Sequence, residues 1–546
     1  MATIVALFWL VGTHFRIYRQ ARFYQIEEYK NERYLRWLFA RRERWLPTRP
    51  IAAWVIGTAL SFVLTEAPGE IMLGLIGSIT ALLAVWPPQE SEIKKPLRRT
   101  ARVKRMLVAA FVLALLMLWL LLHLVSLLPL PDMAELNFIL TAFCGLLLFL
   151  SAPLLLITGN LLMTPVEAYF RRRFIQQARQ TLDRVRPTVI GITGSYGKTS
   201  TKTYLAHLLN GRYKACPTPK SYNTLMGVCL AINNDLADDH SVDYFICEMG
   251  AYVEGEIRDI CDLTRPTISI VVEVGPQHLE RFGTLEKVAS AKYEIIKALP
   301  PDGVAVFNWD NPYVRAMYER GYPATRLAVS RELDPNSPAP DGPRFIASEI
   351  TETLEGLAFA VTDTATGESE FFSTPLLGLH NVTNILLATA VAVHEGMPLR
   401  DVARRARGLQ PAESRLTRQT TAQGITIIND AYSANPVGAV QALHVLGMHQ
   451  HGRRLLITPG MVELGELMET ENHKLGEAAA QYASDVILVG EQQTAPIKAG
   501  LLAAGFPQER LQVVHTLAES IQWYQNHLQS GDTVLFLNDL PDTYST

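Results

Sequence analysis

The chain is short of cysteine and of net charge. Its five cysteines, Cys144, Cys216, Cys229, Cys247 and Cys261, are scattered with no CxxC pair. That spacing excludes a zinc knuckle or a disulfide framework and fits a reducing compartment for the soluble part. A net charge of −3 carries no global signal for nucleic acid. No basic stretch precedes the opening apolar run, so the N-terminus does not read as a cleaved signal peptide. Internal repeats are absent. At 546 residues the chain exceeds what one core can organise, and about two to four domains are expected.

Apolar sequence is concentrated in the first third. Residues 106–128 and 137–158 hold no formal charge, His123 aside, and each is long enough to cross a hydrocarbon core of about 30 Å as a helix. Residues 71–87 form a third candidate. Residues 51–65 and 2–12 are shorter and read either as spans or as interfacial helices. The segments between them differ in charge. Residues 16–49 (Arg16, Arg19, Arg22, Arg33, Arg36, Arg41, Arg42, Arg44, Arg49), 94–105 (Lys94, Lys95, Arg98, Arg99, Arg102, Lys104, Arg105) and Arg171–Arg173 are basic, whereas Glu66–Glu70 and Pro129–Glu135 carry no Lys or Arg. The positive-inside rule then predicts about five spans, with the N-terminus outside and everything after 171 in the cytoplasm. The basic segments serve as topology signals, or they bind anionic membrane lipid.

Beyond residue 170 short apolar strands alternate with helical patterns. Residues 186–192 (RPTVIGI), Tyr244–Cys247, Ile268–Val272 and Val304–Phe307 read as strands, and 199–210 and Lys287–Leu299 as helices. Residues 333–343 are a Pro-rich loop, and the alternation over 346–373 predicts a small antiparallel addition. A second α/β unit starts near 410, with strands at Gly424–Ile428, Arg454–Thr458, Asp485–Val489 and Thr533–Leu537 and helices at 435–447, 471–483 and 517–528. The predicted organisation is an α-helical transmembrane region (1–170), a P-loop parallel-sheet ATPase domain (171–408) and a C-terminal Rossmann-like α/β domain (409–546).

Chemistry enters at Gly191-Ile-Thr-Gly-Ser-Tyr-Gly-Lys-Thr199, which sits between a strand and a helix. Gly191, Gly194 and Gly197 let backbone N–H groups converge on phosphate oxygens. Lys198 offers a mobile positive charge to the β- and γ-phosphates of ATP, and the Thr199 hydroxyl is placed for Mg²⁺. Ile192 stands where the common GxxxxGK[ST] loop has glycine. The apolar run Tyr244–Gly250 contains Glu248, a carboxylate able to share Mg²⁺ with Thr199.

The variant loop GITGSYGKTST resembles that of the Mur ligases, which add amino acids or peptides to the peptidoglycan precursor. Further matches follow in the family's order: Lys220–Gly227 (KSYNTLMG), Glu248-Met-Gly-Ala with Gly255-Glu-Ile257, Gly275–Gly283 (GPQHLERFG), Ala291-Lys292, Gly378–Asn384 (GLHNVTN), Arg415, Asn429–Pro436 (NDAYSANP), and Gly460–Gly465 (GMVELG) followed by His473. They cover roughly 186–490 and are most similar to the branch that adds D-alanyl-D-alanine to a UDP-MurNAc-peptide. The resemblance implies an acyl-phosphate mechanism with ATP and Mg²⁺. By that resemblance Gly194, Ser195, Tyr196, Gly197, Lys198, Thr199 and Ser200 hold the phosphates, and His380, Asn381 and Asn384 border the adenine. Thr199 and Glu248 bind one metal ion; Glu248, His278 and a carbamate on Lys292 bind a second. Lys198 and Arg415 stabilise the γ-phosphoryl group, and Asp430 faces them across the cleft. Lys292 read by itself is a solvated helix residue or a carbamylated one, and His473 a helix-face residue or a functional one. Asn381-Val-Thr383 is formally a glycosylation sequon, which a cytoplasmic location renders irrelevant.

The chain departs from the family pattern in three places. The membrane region replaces the family's N-terminal domain, Ser433 replaces the usual Asn, and Phe536–Leu540 replaces a KGSR-like segment. The departures leave ATP chemistry alone and open the question of the acceptor, UDP-linked or lipid-linked. Two readings of other classes are an ATP-driven transporter, for which an LSGGQ-like segment is missing, and an ATP-binding scaffold, against which stand Lys198, Thr199, Glu248 and His278.

Overall fold

The computed structural model describes residues 2–63, 75–82, 86, 96–129, 133–237, 239–336, 341–413, 415–432 and 434–538. The chain falls into two units, Met1–Arg172 and Arg173–Thr546. The first is helical, with helices Ala2–Ile26, Asn31–Phe39, Arg42–Trp45, Thr48–Val63, Ala101–Ser126, Ala134–Leu150 and the start of Ala152–Val185; residues 75–82 are helical too. The first helix runs on through Arg16, Arg19 and Arg22, where the charge pattern suggested a loop. Arg, Gln and Ala favour helix, and Ile17, Ala21 and Tyr24 continue a buried stripe at helical spacing. Arg16 is itself buried, and its guanidinium donates to the Phe149 carbonyl at 2.8 Å and to the Arg44 and Trp45 carbonyls at 3.2 and 3.1 Å. Small residues bring helices together. A Cβ on Gly145 would lie 2.3 Å from the Trp9 ring, and one on Gly159 would lie 3.0 Å from the Ala110 backbone.

Among the described residues one helix, Ala101–Ser126, is long and apolar enough to cross a membrane; the pair Glu135–Leu150 and Ala152–Val185, bent by 56°, passes the same test together. Of the expected span at 51–65, residues up to Val63 are described and lie in helix Thr48–Val63. The expected span at 71–87 and the loops around Glu66–Glu70 and Lys94-Lys95 lie wholly or largely outside the described residues.

The second unit carries two sheets. The nine strands of the first are β1 (Thr188–Thr193), β2 (Ala215–Pro217), β3 (Tyr244–Glu248), β4 (Ile268–Val271), β5 (Val304–Asn308), β6 (Thr325–Ser330), β7 (Phe345–Thr353), β8 (Gly356–Asp363) and β9 (Glu368–Thr374). Their order is β2-β3-β1-β4-β5-β6-β7-β8-β9. Strands β2 to β7 pair in parallel, and β7, β8 and β9 form the antiparallel addition that the alternation predicts. β3 and β4 are buried at every position, as befits strands covered on both faces. The chain leaves β1 for β2 on one side and returns from β3 to β4 on the other, so β1 is a topological switch point. The pairing sets Ile192 beside Glu248 and Thr193 beside Val271, which brings three loops to one carboxyl edge.

The second sheet holds β10 (Thr417–Thr420), β11 (Thr426–Asp430), β12 (Arg454–Thr458), β13 (Asp485–Val489), β14 (Leu511–Val514) and β15 (Thr533–Leu537), ordered β10-β11-β15-β12-β13-β14. All pairs are parallel except β10 with β11. β10, β14 and helix Glu491–Ala503 were not legible in the sequence; both strands are short edges, and the helix carries an internal Pro496. That helix packs against Met468–Tyr482 at backbone distance: a Cβ on Gly476 would lie 2.2 Å from the Ile497 carbonyl, and one on Gly500 2.0 Å from the His473 carbonyl. Alanine at Gly476 gains up to about 1 kcal/mol of helix propensity, but the helices must part to admit it. Gly476→Ala is therefore expected to lower stability by a net ~1–3 kcal/mol in urea unfolding. A neutral or stabilising result would refute the close approach.

Candidate active site

The loop after β1 turns into helix Lys198–Leu209 at Gly197, whose φ of +76° lies in the left-handed region. Glycine is required for space as well: a Cβ there would sit 2.5 Å from Asn384 Oδ1 and 2.7 Å from Val272. Ser195 is tied to the next loop, its hydroxyl bonding both the Gly275 carbonyl and the Gly275 N–H at 3.0 Å. Lys198 turns back over the turn and donates to the carbonyls of Gly194 (2.6 Å) and Ser195 (3.2 Å). Desolvation lowers its ammonium to about 8; Glu248 opposes that shift and Arg415 adds to it.

Glu248 is 1% exposed at the end of β3, and both of its carboxylate oxygens are engaged. One oxygen accepts from the Thr199 hydroxyl and from the Lys202 ammonium, both at 3.0 Å; the other accepts from the Asn223 amide at 3.2 Å. Lys202 is buried one turn along the same helix and also donates to the Lys220 carbonyl. Sequence reading missed it, because its spacing from Lys198 looks like an ordinary helix face.

Asn381 and Asn384 brace this helix. Thr201 donates to the Asn384 side chain at 3.2 Å, Tyr204 to the Asn381 side chain at 2.9 Å, and the Asn384 amide to Asn381 at 3.1 Å. Both are buried. His380, at the head of helix His380–His394, keeps a buried Nδ1 with no partner among the described residues. Desolvation, with Arg331 and Arg415, lowers it to about 4 and keeps it neutral. The Tyr196 hydroxyl is likewise buried and unpartnered.

The loop after β4 carries Glu273 and His278. Desolvation raises Glu273 to about 7 although the amides of Asn311 and Asn308 donate to it; nothing in its sequence context marked it. His278 has a φ of +56°, and its Nδ1 bonds the Glu463 carboxylate of the C-terminal sheet's loop. Desolvation lowers its pKa. Lys292, on helix Leu285–Lys297, is 3% exposed and has no polar partner among the described residues; its ammonium lies 5.9 Å from the Phe282 ring centroid. Desolvation first, then Lys198, lowers it to about 7. The described residues hold no preformed cluster of three or more His, Cys, Asp or Glu for a metal.

Arg415 stacks over Tyr432 at 4.4 Å. Asp430, at the end of β11, accepts from the Leu416 N–H at 3.1 Å, and desolvation raises it to about 6 against the pull of Arg415. Asn538 joins the C-terminal loops: its N–H donates to the Asp430 carbonyl at 3.2 Å, its amide to the Gly460 carbonyl at 2.6 Å, and its side-chain oxygen accepts from Ala434 at 3.3 Å. It falls in the segment Phe536–Leu540, which departs from the family pattern; Ser433 lies outside the described residues. His473 pairs with Glu477 at 3.6 Å on an exposed helix face.

Two outcomes test this arrangement. Lys202→Met leaves the Glu248 charge buried without its cation and is expected to cost about 3–5 kcal/mol; the double variant Lys202→Met/Glu248→Gln should recover most of that loss in chemical denaturation. Asp430 holds a proton in the fold between 3.8, its unperturbed value, and about 6, which the unfolded chain releases. Stability from this group therefore falls as pH rises through that window. Asp430→Asn keeps the oxygen that Leu416 needs, and it should stabilise the protein at pH 8 and make no difference below about pH 4 in thermal unfolding.

Comparison with known proteins agrees with this geometry. Residues 192–392 match the Mur ligase middle domain and residues 414–538 the Mur ligase glutamate ligase domain. The UDP-N-acetylmuramoyl-tripeptide–D-alanyl-D-alanine ligase of Escherichia coli strain K12 is 32% identical over 326 residues, covering 60% of this chain and 69% of that protein. The protein of the same name in Bacillus subtilis strain 168 is 28% identical over 362 residues, 66% of this chain and 75% of that one. A crystal structure of MurF from Acinetobacter baumannii superposes with a TM-score of 0.59 at 26% identity, over 68% of this chain and 78% of that one.

Proposed function

The chain belongs to the Mur ligase family, and on that footing we propose that it is an ATP-dependent amide-bond-forming ligase of peptidoglycan precursor synthesis, adding D-alanyl-D-alanine to a UDP-MurNAc-peptide. The observation that carries the reading is the convergence of Lys198, Thr199 and Glu248 at the switch point of the first sheet, with Arg415 and Asp430 supplied by the second.

In the first half-reaction an oxygen of the substrate carboxylate attacks the γ-phosphorus of ATP, the bond to the β-phosphate oxygen breaks, and ADP leaves. Two anions meet, so charge neutralisation dominates the barrier. Lys198 swings from its loop carbonyls to the γ-phosphoryl group, and Arg415 approaches from the C-terminal domain. In the second half-reaction the neutral amine attacks the acyl carbon, and the tetrahedral intermediate gives up an N–H proton and expels phosphate, which carries that proton away. The Thr199–Glu248 pair fits Mg²⁺: a hydroxyl and a carboxylate 3.0 Å apart offer oxygen ligands to one ion. Such an ion supplies charge neutralisation on the phosphates. His278 fits a second ion only through Nε2, since Nδ1 is taken by Glu463. Lys292 joins that set as a carbamate, and an amine lowered to about 7 is neutral enough to attack CO₂ with loss of a proton.

An apolar stripe on helix Ala101–Ser126, comprising Val112, Leu115, Leu116, Trp119 and Leu120, is exposed, which supports a first unit embedded in the inner membrane with the catalytic unit in the cytoplasm. That unit also motivates a second reading, in which the acceptor is lipid-linked.

Lys198→Ala is expected to abolish phosphate release that depends on the added amine, while a transporter or scaffold would show no such amine dependence. At fixed dissolved CO₂, a carbamate signal from ¹³C-labelled CO₂ should grow as pH rises through about 7 and be missing in Lys292→Met. Turnover of UDP-linked and not lipid-linked acceptor, read by mass spectrometry, would eliminate the second reading.

A further inference from the structure

Glu463 lies on the loop after β12, in the run Gly460-Met-Val-Glu-Leu-Gly465. Its oxygens meet two groups of the central domain: one bonds His278 Nδ1, and the other lies 3.6 Å from the Arg281 guanidinium. The contact is built from both sides. His278 and Glu463 both have left-handed backbones, at φ +56° and +64°. Side chains rarely adopt that region, and such strain persists only where the surroundings enforce it. The Glu463 loop is pinned by Asn472, 1% exposed, which accepts from Met461 N–H at 2.8 Å and donates to the Met461 and Met468 carbonyls at 2.9 and 2.8 Å. Asn538 holds Gly460 from the other side. On the facing loop Tyr252 packs edge-on against the His278 ring, with centroids 4.5 Å apart, and Arg281 stacks over Tyr252 at 4.2 Å. Gly465 meets the Glu280 backbone, where a Cβ would come to 3.3 Å.

A carboxylate on one imidazole nitrogen fixes the proton there and leaves the lone pair on the other. We propose that Glu463 is a positioning residue: the C-terminal domain presents it to His278 Nδ1, which holds the ring with Nε2 bare for a divalent cation, so that cation binding at His278 and closure of the two domains favour one another. This rests on the ligase reading, in which His278 is a ligand of the second cation. The carboxylate acts through the ring and touches neither substrate nor cation. Because linkage is reciprocal, the factor by which closure tightens the cation is the factor by which the cation favours closure.

The test uses the full chain in detergent with a non-hydrolysable ATP analogue, Mn²⁺ as probe, and electron paramagnetic resonance to count bound metal. Wild type is expected to bind a tighter and a weaker Mn²⁺. Glu463→Ala should weaken the weaker one by roughly 10–100-fold, the usual loss for such an orienting partner, and leave the tighter one unchanged. Glu463→Gln, whose amide oxygen can still accept from Nδ1–H, should recover most of the affinity. A donor–acceptor dye pair on the two domains should show that Mn²⁺ closes wild type but not Glu463→Ala. The proposal is overturned if Glu463→Ala leaves both affinities unchanged while His278→Ala abolishes the weaker one. It is equally overturned if Glu463→Gln is as weak as Glu463→Ala. If His278→Ala itself leaves both affinities unchanged, the ligand reading of His278 fails, and the proposal with it.

Discussion

The Glu248 carboxylate, almost wholly withdrawn from water, is the point on which the catalytic unit depends. A buried charge must be compensated by partners that the fold holds still. Lys202 and Thr199 come from the helix behind the phosphate loop, Asn223 comes from the segment after β2, and the β1–β3 register sets the strand end beside the loop. One group thus fixes the depth of the helix, the position of its first hydroxyl and the geometry available to a cation. The same helix is braced from the far side by Asn381 and Asn384. The left-handed turn at Gly197 fits only because these neighbours are where they are.

Around this point the fold gathers groups whose ionisation is displaced by burial. Lys198 and Lys292 are held below the ordinary lysine range, and Asp430 and Glu273 above the ordinary carboxylate range. Desolvation leads in every case, so water exclusion by the packed loops is the common cause. Each shift weakens the fold in some window of pH, a cost that catalytic sites commonly carry. The left-handed residues His278, Leu416, Glu463 and Asn538 belong to the same region, where backbone strain accompanies precise placement.

The two units solve packing in opposite ways. In the second, Val, Ile and Leu of the strands fill the interior. In the first, alanine and glycine let helices touch, while large apolar side chains such as Leu116 and Trp119 face outward. Outward apolar surface of this kind is unfavourable in water and favourable in lipid.

Local chemistry sufficed for much of this. A glycine-rich turn ending in Lys198-Thr199 and buried apolar strands such as β3 and β12 are legible because they depend on neighbours in sequence: backbone freedom, helix dipole and strand period. Family motifs supplied the roles of His278, Arg415 and Asp430, whereas Glu248 was legible from the apolar strand that follows the phosphate loop. What could not be read was every pairing across the chain. Lys202 looks like a solvated helix residue until β3 sets Glu248 beside it; Glu273 acquires Asn308 from the end of β5 and Asn311 from the loop after it; Asn381 and Asn384 meet Tyr204 and Thr201 of the helix behind the phosphate loop; Glu463 finds His278 only when loops of two sheets meet. These are contacts between segments up to 185 positions apart. The sequence by itself determined which residues can carry charge, bend the backbone or fill a core, because those are properties of single side chains. Only the tertiary structure decided which charges are buried together, since burial and partner choice belong to the packed whole.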